Sequence, residues 1–199
     1  MSGKIMKKLI IATGNKKKAE EIKDIMSLSD YEVVSMADFE NKPQIIEDGE
    51  TFEANAVKKA VEISLFYDAM VIADDSGLEV EALGGEPGVY SARYCGRHGD
   101  DRANNDKLLH MMKGVAKEQR AARFVCVAAV AQKGQLLNTF RGELSGAITE
   151  ALSGENGFGY DPVFFLPEFN RTVAQLTAPE KNRISHRYKA FVAVAEFLC

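Results

Sequence analysis

Asp74 and Asp75 stand side by side after the apolar run of residues 69–73, and Ser76-Gly77 follow them directly. A run this short, closed by polar and glycine residues, reads as a buried strand. An unpaired carboxylate is costly to bury. Two of them need a divalent cation, a basic side chain, or water at the carboxyl edge of a sheet, where α/β folds place ligands. Side chains alternate faces along a strand, so the two carboxylates point opposite ways if the strand stays regular. One then faces a cleft as metal ligand or base, and the other bonds backbone or a nearby lysine.

Four further clusters carry polar chemistry. Thr13-Gly14-Asn15-Lys16-Lys17-Lys18 joins a strand-like run to a helical pattern. The free N–H groups of a helix start favour phosphate, Gly14 permits close approach, and Lys18 reaches from the first turn. The pattern is not a Walker A loop; with no ligand it is a solvated, lysine-rich helix start. Glu47-Asp48-Gly49-Glu50 is an acidic loop of a kind that normally just faces water. Glu47 offers one oxygen ligand to magnesium, which keeps several waters and needs only one or two carboxylates. Gly157-Phe158-Gly159-Tyr160-Asp161-Pro162 sets two glycines around a ring. Phe158 or Tyr160 could stack on a base while Asp161 accepts from its edge; the plain alternative is a tight turn with aromatic core plugs. The segment 180–187 brings Lys181, Arg183, His186 and Arg187 to the start of the last helical stretch. Cations there oppose the helix dipole unless an anion joins them; otherwise the segment is a charged, solvated face. Phosphate turn, metal acids, aromatic platform and cationic clamp together suit a nucleoside triphosphate.

The elements that must hold these groups follow from periodicity. Residues 9–12 and 31–35 read as strands, and 16–27 as a helix with Ala19, Ile22, Ile25 and Met26 on one face. Residues 36–49 read as loop. Residues 51–67 have helical spacing with Thr51 as N-cap. The apolar strand ends at Asp74-Asp75, and a turn-rich stretch leads to Gly84-Gly85-Glu86-Pro87-Gly88. A polar helix spans 100–113. Strands 123–132 and 136–143 form a hairpin through Lys133-Gly134-Gln135. The loop 154–162 precedes a short strand, 163–166, and one closing helix spans 179–198. Early β-α-β units with a later hairpin make a mixed α/β sheet.

The 199 residues, 46% hydrophobic, suffice for one domain or two small lobes sharing a sheet. A net charge of −4 disfavours broad capture of nucleic acid, so an anionic ligand needs a local basic cluster. Cys95, Cys126 and Cys199 form no CxxC and fit no zinc spacing, which points to reduced thiols. The apolar stretch near the N-terminus is too short for a secretory signal, and no run is long enough to cross a bilayer. A cytoplasmic location is expected by default.

The segments ATGNKKK, EDGETFEANA, ADDSGLEVEALGGEPGVYSARY, ARFVC, GFGYDPVFF and EKNRISHR occur in this order along essentially the whole chain. With them the chain resembles the inosine triphosphate pyrophosphatase family, which hydrolyses non-standard purine nucleoside triphosphates (ITP, dITP, XTP). The resemblance implies a single domain over residues 1–199: an elongated mixed central sheet flanked by helices, in two lobes with a substrate cleft between them, usually as a homodimer. It implies magnesium-dependent attack of water at the α-phosphorus, giving nucleoside monophosphate and pyrophosphate. By motif position, Thr13, Gly14, Asn15, Lys16, Lys17 and Lys18 bind phosphates. Glu47 and Asp75 hold magnesium, Asp75 is also the proton acceptor, and Ser76 touches substrate. Phe158, Gly159, Tyr160, Asp161, Lys181, His186 and Arg187 embrace base and sugar. The family often has a second acid after the Phe of its TFEENA-like segment; here Ala54 stands there, between Glu53 and Asn55.

These residue types suit the chemistry. Magnesium and Lys18 would offset charge moving onto pyrophosphate, and a carboxylate would orient and deprotonate water. Hypoxanthine and xanthine carry a 6-oxygen where adenine carries an amino group, so a donor from Arg187 or from backbone near His186 would discriminate. Three other readings compete. Maf-like pyrophosphatases act on pyrimidine or modified nucleotides, but open with a Ser- and Arg-rich loop. A non-catalytic nucleotide sensor would have no need of Asp75, Lys18 and Glu47. A nucleic-acid-binding module is disfavoured by the net acidity.

Overall fold

The structure is a computed structural model that describes residues 6–26 and 30–199. Among these residues, seven strands form one sheet: β1 (Lys7–Ile11), β2 (Tyr31–Ser35), β3 (Met70–Val80), β4 (Ala121–Gln132), β5 (Gln135–Ile148), β6 (Phe164–Leu166) and β7 (Arg171–Thr172), in the order β2-β1-β3-β4-β5-β6-β7. The helices are α1 (Lys16–Ile25), α2 (Phe52–Ser64), α3 (Asp101–Met111), α4 (Ala178–Ile184) and α5 (His186–Leu198). The sheet is mixed, as expected for an α/β fold. β1 pairs in parallel with β2 and β3, and β6 pairs antiparallel with β5 and β7.

The chain forms two compact units: Met1–Asp75, Cys126–Gly142 and Arg187–Cys199 make the first, and Ser76–Val125 with Glu143–His186 the second. In the first unit, β1 buries Leu9, Ile10 and Ile11 without alternation, as a parallel strand covered on both faces does. Leu9, Ile11 and Ile72 pack with Ile22 of α1 and Ala190, Phe191 and Val194 of α5. The stripe Phe52, Ala56, Ala60 and Ile63 of α2 is also buried, at helical spacing. Thr51 caps α2, accepting from the Ala54 N–H at 3.1 Å. In the second unit, Leu78, Leu108, Met112, Phe124, Ile148, Tyr160, Val163 and Phe164 share one core.

Several expectations need correction. The strand does not end at Asp74-Asp75; β3 runs on to Val80, so both carboxylates lie in mid-strand. Cationic and amide partners for them, described below, make that possible. The closing helix is two helices. Ser185, at φ −63° and ψ 154°, is extended and interrupts the helical hydrogen-bond ladder after α4. The hairpin turn has two residues, Lys133 and Gly134, with φ 51° and 76°. Positive φ at both positions is the signature of the turn that matches strand twist. Strand β7 was not expected. The expected helix end at Ser27 lies outside the described residues. No helix among the described residues is long and apolar enough to cross a membrane.

Candidate active site

In the first unit, strand alternation sends Asp74 and Asp75 to opposite faces of β3. Asp74 faces α1 and α5. Its Oδ2 lies 3.3 Å from Lys18 Nζ and 3.8 Å from Arg187 Nε. Arg187 in turn donates from Nη1 to Glu21 Oε2 at 2.7 Å. Glu21, Arg187, Asp74 and Lys18 thus form a buried row of alternating charge, with only Lys18 reaching solvent. Burial works against the Arg187 charge, but Glu21 and then Asp74 more than offset it and push its pKa above the ordinary range.

Asp75 faces α2. Asn55 Nδ2 donates to Asp75 Oδ2 at 3.0 Å, while Asn55 Oδ1 accepts from the Gly49 N–H at 2.8 Å. One buried amide therefore fixes both the carboxylate and the end of the acidic loop. One turn along α2, Lys59 donates to Glu47 Oε1 at 3.0 Å. Burial raises the Asp75 pKa; Lys59, the Asn55 hydrogen bond and Lys18 pull it down, Glu47 adds to the rise, and the net shift is upward. Asp75 is thus a buried carboxylate whose pKa is raised.

The turn before α1 is built as a helix start. Asn15 Oδ1 accepts from the Lys18 N–H at 3.2 Å, and Thr13 Oγ1 accepts from the Asn15 N–H at 3.2 Å. The first turn of α1 holds no acid. Lys16 and Lys17 are exposed beside it. This end of the helix presents positive charge alone.

The second unit holds the aromatic loop. Asp161 Oδ2 accepts from the Phe158 N–H at 2.9 Å and from Lys181 Nζ at 2.7 Å. Lys181 Nζ also stands 4.4 Å from the Phe158 ring centroid. A Cβ on Gly157 would lie 2.0 Å from Asp161 Oδ2, so only glycine allows the carboxylate to fold back under the loop. Tyr160 is a core residue whose hydroxyl donates to the Ser91 carbonyl at 2.9 Å. Of the two rings, Phe158 is therefore the half-buried one. His186 is buried, its ring stacked 4.9 Å from that of Phe124. Ser76, half-buried, is the next residue of β3 after Asp75.

The Ham1 family model matches residues 9–197. The chain belongs to the Ham1 family. This Ham1 chain is 48% identical over 194 residues to a dITP/XTP pyrophosphatase of Bacillus subtilis, covering 98% of each chain. It is 51% identical over 185 residues to one of Listeria monocytogenes, covering 93% of this chain and 91% of the relative. The Staphylococcus aureus Ham1 protein structure superposes with a TM-score of 0.87 at 42% identity, covering 96% of this chain and 98% of that one.

Within the first unit, Lys18 and Arg187 meet at Asp74, and Glu47 lies close enough to Asp75 to influence its proton. Within the second, Phe158, Asp161 and Lys181 meet. The Arg187 guanidinium, expected to embrace base and sugar, pairs here with Glu21 and Asp74. Sequence reading assigned no role to Glu21, Asn55 or Lys59. Glu21 falls three residues after Lys18, and Lys59 four after Asn55; one-turn spacing beside a residue already singled out was the available signal.

Proposed function

We propose that the chain hydrolyses non-standard purine nucleoside triphosphates, ITP, dITP and XTP, to the nucleoside monophosphate and pyrophosphate, as one domain over residues 1–199. Relatives named for dITP and XTP, alike along nearly the whole chain, support this reading. The observation that carries it is the unequal treatment of the two aspartates: Asp74 is neutralised by cations, whereas Asp75 is buried with its pKa raised. Asp75 accepts a proton from water as the water oxygen bonds to the α-phosphorus and the bond to pyrophosphate breaks. Thr13, Gly14, Asn15, Lys16 and Lys17 hold phosphate oxygens with the N–H groups of the helix start. Lys18, held over Asp74, offsets charge on the departing pyrophosphate.

Magnesium fits the carboxylate set. Among the described residues no cluster of three or more His, Cys, Asp or Glu side chains is placed to hold a metal. Two carboxylates, Glu47 and Asp75, would hold it and leave positions for water and phosphate oxygens, as magnesium prefers. When bound, it supplies charge neutralisation on the phosphates. Lys59, already on Glu47, balances this acidic pair. Phe158 stacks on the base, Gly159 and Tyr160 shape that loop, and Asp161, Lys181 and His186 surround base and sugar, with Ser76 on the substrate. Arg187, or backbone near His186, supplies the donor to the 6-oxygen. A homodimer working in the cytoplasm completes the reading.

The test is pyrophosphate release from ITP, dITP, XTP, GTP, ATP, dUTP and dTTP, with magnesium and with chelator. Preference for the three non-standard purines, abolished by chelator, is expected. Preference for dUTP or dTTP would establish the pyrimidine-directed alternative, and binding of ITP without pyrophosphate release would establish a sensor.

A further inference from the structure

One helix takes both backbone groups of Gly159, the centre of the aromatic loop. Asp101 Oδ2 accepts from the Gly159 N–H at 2.8 Å, and Asn105 Nδ2 donates to the Gly159 carbonyl at 2.7 Å. The two residues are one turn apart on α3, so their side chains stand together. Asn105 Nδ2 also donates to the Asp101 carbonyl at 2.8 Å, which sets the orientation of the amide. Asn105 is 3% exposed, and its Oδ1 has no hydrogen-bond partner among the described residues. A buried, unsatisfied acceptor is unfavourable, and a leucine of similar size would avoid that cost. The amide is therefore explained by its bond to Gly159 and not by packing. Gly157 and Gly159 have φ of 78° and 61°, a conformation in which the chain has little intrinsic preference for one shape. The shape is imposed by anchors: α3 on Gly159, the Ser91 carbonyl on Tyr160, and Asp161 on the Phe158 N–H. Phe158 is bonded directly to the residue that α3 grips.

We infer that Asp101 and Asn105 are positioning residues that hold the Phe158 ring in the orientation needed to stack on a purine. This deepens the proposed base-binding role of the loop and rests on it. The pair acts on ring placement and leaves phosphate chemistry alone. Its loss therefore shows in KM for a nucleotide and not in turnover or in binding of a ligand that lacks a base.

The test measures steady-state ITP hydrolysis by the full chain and competitive inhibition by inorganic tripolyphosphate. Asn105→Leu is expected to raise KM for ITP about five- to tenfold, the loss of one buried hydrogen bond, with kcat within about twofold and tripolyphosphate inhibition unchanged. Combined with Phe158→Ala, it should add less than about twofold, because the ring it positions is gone. Asp101→Ala, at an exposed position, tests the same clamp if Asn105→Leu does not fold, with a KM shift in the same direction. If Phe158→Ala raises KM but neither α3 variant does, or if their effects multiply with it, the positioning role is overturned and the base-binding role of the loop stands. If Phe158→Ala leaves KM for ITP unchanged, the base-binding role falls, and the inference with it.

Discussion

Asp74 and Asp75 are neighbours in sequence and opposites in environment. Asp74 sits in a buried row of four alternating charges and is paired on both sides by cations. Asp75, on the other face of the same strand, receives a neutral amide, and its pKa rises because burial outweighs the cations nearby. A carboxylate boxed by two cations is stabilised as an anion and is a poor proton acceptor. A carboxylate with a raised pKa is a better base, provided the working pH keeps it ionised. The strand's two-residue period thus separates an acid paired with cations from one with a raised pKa within a single dipeptide.

The strongest test is Asp75→Asn, which should lower kcat for pyrophosphate release from ITP by about 10²- to 10⁴-fold with KM little changed. The contrast between the aspartates collapses if Asp74→Asn produces the same kinetic loss with undiminished stability. Arg187→Met should instead act on folding. Removing one partner from a buried charge row costs about 3–5 kcal/mol, read by urea denaturation. A small change there would mean that Asp74 is held by Lys18 alone. Asn55→Ala leaves Asp75 without its amide and frees Gly49; kcat should fall about tenfold, the loss of one hydrogen bond to a charged group.

The smallest effect is on the pH dependence of stability. The Asp75 pKa is raised above its ordinary 3.8, chiefly by burial, so the folded state holds this proton more tightly than the unfolded state. The stability contributed by the protonated form is fully present below that ordinary value and is lost as pH rises through the higher folded pKa. Asp75→Asn has no such loss. Its stability relative to the parent should therefore be lowest in acid, rise through that window, and level off above it. In the parent enzyme kcat should fall on acidification through the same raised pKa. A stability difference independent of pH would show that Asp75 is not held as described.

Much of this was legible in the chain. Residues 13–18 read as a strand-to-helix turn because Thr13-Gly14-Asn15 follow an apolar run and precede a helical pattern; the structure adds that Asn15 is the N-cap. Strand β2 was placed at its observed bounds, and alternation alone sent the two aspartates apart. The continuation of β3 through Asp75 was not legible, because two adjacent acids look like a strand end until their partners, 56 residues away at Lys18 and 20 away at Asn55, are known. The break at Ser185 was hidden because residues 179–198 are locally all compatible with helix. His186 stacks on Phe124 and Arg187 pairs with Glu21, contacts distant in sequence that local propensity cannot foresee.

By itself, then, the sequence determined the periodic elements, the mixed α/β class and the motif set that marks the family. These depend on neighbours within a turn or a strand, where spacing dictates which side chains share a face. Tertiary structure alone decided which acid is neutralised and which is left basic, that Arg187 is a buried counter-ion, and that α3 grips Gly159. Those outcomes depend on burial and on charges brought together from remote positions, and both are properties of the packed chain.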